Sequence, residues 1–379
     1  METRYKRGRH TDRFPLLQAL LSIVLGISLA FYLIIVAVPS ANAKKTIQNP
    51  LNLETLRGVH ARNNGSPLRV WNSQKSPTKA TIICVHALGL SSHAYQDFAD
   101  KLSREGYRVY AIDVRGFGDN RSIDGRSKLD LERTVEDIKR LVTGLKRERE
   151  NEPIFLVGES MGGAVVLKAA STFPQSLSGA LVSAPAFKLY KLKRLTLKGL
   201  GDIMLPGRGP AARSVMTQAT SSVRLRNHWV EDSANHKLEL SLGEAIAYYR
   251  FVRNTPRYSA LINELPVCIM HGLKDHLARP EGSAEIFKQL TSRQKTFVID
   301  CEAEHLILEE KQLTKRILAT TLRWLNKQLG TNSSAFSSPI MVLNNKGMNR
   351  GERTLLNKII NNCGLNKSVI EAAKPASML

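Results

Sequence analysis

Aromatic residues make up only 6% of the 379-residue chain, too few for the stacked ring platforms that hold single-stranded nucleic acid. Basic residues do not interleave with aromatics either, so the formal charge of +22 does not read as a nucleic-acid surface, and no nucleic-acid partner is expected. Cysteine is scarce as well. Cys84, Cys268 and Cys301 lie in or beside apolar runs and Cys363 lies near the C-terminal end, which is not the framework of a disulfide-stapled exported domain. They read as small buried hydrophobes, with a single Cys268–Cys301 disulfide left open. No cysteine–histidine cluster has zinc spacing, and neither a metal nor an organic cofactor is expected.

What is present starts with a basic N-terminus. Arg4, Lys6, Arg7, Arg9 and Arg13 precede an uncharged run from Leu16 to Val38, long enough at about 1.5 Å per residue to cross a bilayer. Two readings compete. Ala41-Asn42-Ala43 after the Pro39-Ser40 turn resembles a signal-peptide cleavage site, whereas the length of the run favours a retained anchor. Both keep residues 1–15 cytoplasmic and put the catalytic part on the exported side, membrane-anchored by a single pass or secreted after cleavage near Ala43. The rest of the positive charge is spread over the segment after residue 187 and the tail.

The chain is organised around Gly158-Glu159-Ser160-Met161-Gly162, preceded by the apolar run Pro153–Val157 and followed by small residues of helical character. A strand that turns directly into a helix forces the turning residue into a strained conformation, tolerated where the flanking positions lack side chains. The serine hydroxyl then stands proud of the sheet, with the Met161 N–H beside it as an oxyanion donor. A second donor, the Leu88 N–H, is expected where the strand Thr81–His86 ends in a small-residue turn. Strands and helices alternate from a hairpin over Leu53–Ser73 through Tyr107–Asp113, Leu131–Lys146 and Gly179–Ser183, which argues for a mostly parallel sheet flanked by helices. After a 39–52 linker, the core is expected over 53–186 and 262–330. Residues 187–261 show helical periodicity without a strand, and read as an inserted lid. The Asn-, Ser- and Lys-rich stretch 331–379 reads as a disordered extension with one short helix near Arg353–Asn361.

A serine nucleophile needs an imidazole to take its proton and a carboxylate to fix that imidazole. Of the histidines, only His271, His276 and His305 lie beyond the inserted segment. His271 ends the strand before the acid and His276 adjoins Asp275, which leaves His305 as the base. Asp275 is the acid best placed at a strand's C-terminal end. Asp300, Glu302 and Glu304 are too close to His305 in sequence and read as surface carboxylates.

The strings VHALGLSSHAY, DVRGFGDN, GESMGG, MHGLKDH and CEAEHLILEE resemble, in order and spacing, the α/β-hydrolases related to monoacylglycerol lipases and lysophospholipases. The resemblance covers about residues 53–329. It implies the α/β-hydrolase fold, Ser160, Asp275 and His305 as a catalytic triad, and Leu88 and Met161 as backbone oxyanion donors. Two positions depart from the family pattern. Ala87 stands where glycine usually precedes the oxyanion residue, and Phe117-Gly118-Asp119 stands where His-Gly-x-Ser is commoner. The implied activity is hydrolysis of acylglycerol or lysophospholipid esters through an acyl-enzyme, with a lipid or other ester as partner. A short-chain carboxylesterase, thioesterase or acyltransferase would use the same triad, and a catalytically silent membrane-tethered binding protein would share only the fold.

Overall fold

The computed structural model describes residues 67–189, 218–231, 237, 240–331, 338–364 and 370–372. The apolar run 16–38, the linker and the first half of the expected hairpin lie outside them. No helix among the described residues is long and apolar enough to cross a membrane.

Nine strands among the described residues form one sheet, in the order β1-β3-β2-β4-β5-β6-β7-β8-β9. They are β1 Leu68–Trp71, β2 Ala80–Val85, β3 Tyr107–Ile112, β4 Ile154–Glu159, β5 Gly179–Ser183, β6 Val267–Gly272, β7 Lys295–Asp300, β8 Ile340–Leu343 and β9 Ile370–Ala372. Only β1, paired with β3, runs antiparallel. Every other neighbouring pair is parallel. β2 and β4 through β6 are buried at every position, as strands covered on both faces must be. Alternate residues then serve opposite cores. Ile83, Val85 and Leu156 face one cluster with Val135 and Ile138 of α2 (Leu131–Glu148) and Val165 of α3 (Met161–Thr172). Ile82, Cys84, Phe155 and Val157 face the other, with Phe98 and Leu102 of α1 (Gln96–Arg104).

Between β5 and β6 the described elements are helices, α4 (Val223–Glu231), α5 (Leu242–Val252) and α6 (Thr255–Ser259). Then α7 (Pro280–Gln289) joins β6 to β7, and α8 (Lys315–Gln328), with Trp324 wholly buried, covers the second core.

The last segment differs from expectation. Within 331–379, Ile340–Leu343 form the buried strand β8 alongside β7, and α9 (Arg350–Asn362) leads on to β9. The helix starts with Asn349 and Glu352 in a reciprocal capping box, and it puts Leu356, Ile359 and Ile360 into the first core. A polar composition hid a short apolar strand and an amphipathic helix, so the described residues 338–364 and 370–372 extend the sheet and are not the disordered extension expected. The rest of 332–379 lies outside the described residues. All four cysteines are buried free thiols, so the Cys268–Cys301 bridge does not form.

Candidate active site

Strand β4 delivers Ser160 into the first turn of α3 with φ 53° and ψ −113°, a left-handed conformation that side chains rarely adopt. Its surroundings explain the two glycines. A Cβ on Gly158 would come 2.4 Å from the Gly162 carbonyl oxygen, and one on Gly162 would come 1.9 Å from the Val85 oxygen. The elbow is pinned by Ser160 N–H donating to the Ser183 carbonyl at 2.8 Å.

Three side chains from three loops at the C-terminal ends of parallel strands converge here. His305 Nε2 lies 2.9 Å from Ser160 Oγ, and His305 Nδ1 lies 2.7 Å from Asp275 Oδ2. Asp275 Oδ1 accepts from the Leu277 and Ala278 N–H groups at 2.7 and 2.8 Å. This fixes the carboxylate plane and leaves Oδ2 for the imidazole. Burial works to raise the Asp275 carboxyl, but His305 and His271 outweigh it and hold it well below the usual carboxylate range. Burial likewise opposes the His305 imidazolium, and the Asp275 charge and hydrogen bond, with Glu159, still raise His305 above its ordinary 6.5. A hydroxyl, an imidazole and an oriented carboxylate in series are the parts of a nucleophile–base relay.

Ala87 to Leu90 form a tight turn. Leu90 N–H donates to the Ala87 carbonyl at 3.2 Å, and Gly89 takes φ 85° as a type II turn requires at that position. The turn's own bond leaves the Leu88 N–H unused. Met161 opens α3, so its N–H has no acceptor within the helix. Ala87 is not among the residues with positive φ, so the usual glycine is not needed there. Phe117 is wholly buried and meets His86 edge-on at 5.7 Å between ring centroids, a packing role.

An apolar cavity of about 160 Å³ opens on Ser160 and His305, walled by Leu88, Leu90, Trp229, Leu277 and Leu306 among others. The helical segment between β5 and β6 is tied to the His305 loop on both sides of the imidazole. Ser221 N–H donates to Glu304 at 2.9 Å, and Trp229 Nε1 donates to Glu310 at 3.0 Å.

Sequence reasoning set aside residues that the structure brings to the site. His271 is buried, with Nε2 3.0 Å from Asp275 Oδ2 and Nδ1 2.6 Å from Ser283 Oγ. The Asp275 contact is close enough for attraction, though off-axis for a well-aligned hydrogen bond. Asp300 is a buried acid paired with Arg316 at 2.9 Å, not a surface carboxylate. His276 is exposed and Glu302 faces solvent. Glu159 and Glu309 are both fully buried. The adjacency of Glu159 to Ser160 was the one signal available in the sequence for either.

A mostly parallel sheet with a serine elbow and this three-residue chain at its strand ends defines the α/β-hydrolase class of serine hydrolases. Within that class the chain belongs to the serine aminopeptidase S33 family, which residues 76–312 match. It is similar to the monoglyceride lipase of Rattus norvegicus, at 27% identity over 69% of this chain and 86% of that protein. The monoacylglycerol lipase of Mycolicibacterium smegmatis shares 24% identity over 69% of this chain and 92% of its own. Among solved structures, a soluble variant of the Saccharomyces cerevisiae monoglyceride lipase superposes with a TM-score of 0.58 at 19% identity, covering 76% of this chain and 99% of that one. The Paleococcus ferrophilus monoacylglycerol lipase gives 0.57 at 23% identity, with 69% and 99% covered. The chain is thus a serine hydrolase of monoacylglycerol-lipase-like type.

Proposed function

We propose that the protein hydrolyses acylglycerol or lysophospholipid-type esters through an acyl-enzyme. Ser160 attacks the ester carbonyl while His305 Nε2 takes its proton. The Leu88 and Met161 N–H groups receive the oxyanion, and Asp275 keeps the imidazole in the required tautomer. His305 then protonates the departing alcohol. Water, deprotonated by the same imidazole, releases the fatty acid.

The observation that carries this reading is the cavity beside Ser160 and His305, whose other described lining residues are apolar except Tyr248. Such a wall suits an acyl chain. Among the described residues that line the cavity there is no carboxylate to meet the free amino group of an aminopeptidase substrate, which supports the ester reading over the peptide reading that the family description would suggest. Of the expected lid over 187–261, residues 190–217 lie outside the described residues. Ala219, Trp229 and Tyr248 of its described part wall the cavity, and this part acts as the lid. On α5, Leu242, Ile246 and Tyr249 are 47%, 43% and 47% exposed at the spacing of one helical face, which suits an amphiphilic substrate drawn from a lipid surface. Residues 16–38 serve as the anchor that keeps the catalytic domain at that surface, on the exported side.

Fatty-acid release from monoacylglycerol, a lysophospholipid and a short-chain aryl ester, with Ser160→Ala as control, tests the reading. Release from the long-chain lipids that is lost in S160A is the expected result. Turnover of the aryl ester alone would move the assignment to a short-chain carboxylesterase. Silence on all three esters would favour a binding protein.

A further inference from the structure

Glu159 and Glu309 are both 0% exposed and neither belongs to the relay. Their hydrogen bonds nonetheless join the Ser160 elbow and the His305 loop to the turn that carries Leu88. Glu159 directly precedes Ser160. Its Oε1 accepts from Ser183 Oγ at 2.6 Å and from Ile307 N–H at 2.8 Å, and its Oε2 accepts from Glu309 N–H at 3.1 Å. Leu308 N–H is shared between both oxygens at 3.3 Å. Three successive N–H groups of the loop that begins at His305 are thereby fixed to the elbow. The Glu309 side chain turns back the other way. It accepts the Ala87 N–H at 3.0 Å on Oε1 and 3.2 Å on Oε2, one residue before Leu88.

Resting on the assignment of Leu88 as an oxyanion donor, we infer that Glu309 is a positioning residue for the oxyanion hole. By accepting the Ala87 N–H, it holds the Ala87–Leu90 turn in register with the His305 loop, so that the Leu88 N–H is presented to the substrate carbonyl.

A buried acid without a cationic partner is costly and is kept only where hydrogen bonds compensate it. Among the described residues, the charges that act most strongly on Glu309 are those of Glu159 and Glu310; Tyr95 and the Ala87 N–H hydrogen-bond to it, and Cys84 lies close by. Burial first, and the Glu159 charge second, push the Glu309 carboxyl well above the usual range. A neutral carboxyl still accepts the Ala87 N–H through its carbonyl oxygen, and an amide can do the same. The required property is therefore an acceptor at a fixed reach, not a charge.

The test is the second-order rate constant for labelling the full chain with a fluorophosphonate, whose reaction uses the same oxyanion donors whatever the natural substrate. kcat and KM on an aryl ester are measured per titrated active site alongside it. Wild type labels and Ser160→Ala does not, which checks the underlying serine-hydrolase reading separately. Glu309→Leu removes the acceptor, and Glu309→Asp withdraws it by one methylene. Both are expected to slow labelling and kcat by about 10- to 100-fold, somewhat less than outright loss of a donor, with KM within about twofold. Glu309→Gln is expected to stay within about threefold of wild type. If E309L does not fold, E309D decides. Wild-type rates per titrated site in E309D overturn the inference, as do equal losses in E309D and E309Q. An unlabelled wild type overturns both this inference and the reading beneath it.

Discussion

Replacing Asp275 by Asn should do more damage than the loss of one charge suggests, because the structure dictates which way the amide must face. Asp275 Oδ1 sits on two backbone donors, Leu277 and Ala278 N–H, at 2.7 and 2.8 Å. An asparagine has to place its oxygen there, since the flipped amide would point N–H groups at N–H groups. The NH2 group is then forced toward His305 Nδ1, where the carboxylate oxygen stood at 2.7 Å. The imidazole can accept this donor only with Nδ1 bare, which puts its proton on Nε2 and turns that proton toward Ser160. The base now has no lone pair for the hydroxyl. The expected loss in kcat is about 10⁴-fold, equivalent to about 5.5 kcal/mol of transition-state stabilisation, with KM little changed. Steady-state hydrolysis of an aryl ester gives the number, and circular dichroism and thermal unfolding establish that the variant is folded. A folded D275N enzyme within about tenfold of wild type would refute the reasoning. It would mean that Asp275 does not set the tautomer.

Three further outcomes follow from the geometry. Because Asp275 holds His305 above its ordinary 6.5, kcat/KM should fall as pH drops through a value above 6.5, and an acid limb centred well below 6.5 would contradict the pairing. Stability has the opposite sign for His305: the contribution of a raised imidazole is complete below its unfolded value and is lost as pH rises through the folded one. That of the depressed Asp275 carboxyl is present above its ordinary 3.8 and lost only as pH falls below it, so the acid limb of activity is not unfolding. Gly162→Ala places a Cβ 1.9 Å from the Val85 carbonyl oxygen and should cost about 3 kcal/mol or more, seen in denaturant titration together with loss of fluorophosphonate labelling. Wild-type stability there would mean that the elbow is built differently. Ile359→Ala, at a wholly buried position of α9, should cost about 2–5 kcal/mol; a change under about 0.5 kcal/mol would show that the C-terminal extension is not part of the core.

Much of this architecture is written locally and was therefore legible. The β4–elbow–α3 stretch, with Gly158 and Gly162 around Ser160, carries its own strand, turn and helix signals within a few residues. The order serine, acid, histidine follows from one strand-end loop after another, so Asp275 and His305 could be found by counting strands. The expected helix over Leu131–Lys146 starts with α2 and ends two residues short of it. What could not be read is non-local. Glu159 and Glu309 meet across 150 positions of sequence, and no pattern in either neighbourhood reports that junction. His271 ends a strand and so reads as no part of the relay, yet the turn after β6 folds Asp275 back onto it. The strand β8 was overlooked for a different reason. A four-residue apolar run and an Asn-x-x-Glu cap were present in a stretch whose bulk composition is polar, and composition averaged them away.

The elbow has a consequence for any effort to make this protein tougher. Ser160 sits at φ 53° and ψ −113°, and a non-glycine residue held there stores about 1–3 kcal/mol of backbone strain. Glycine at the same position would release most of that strain, at the cost of about 0.5–1 kcal/mol in unfolded-chain entropy. The hydroxyl is thus kept at the expense of thermal margin. Directed evolution for heat resistance alone, run without an activity screen, should enrich glycine at position 160 and yield a sturdier protein that no longer reacts.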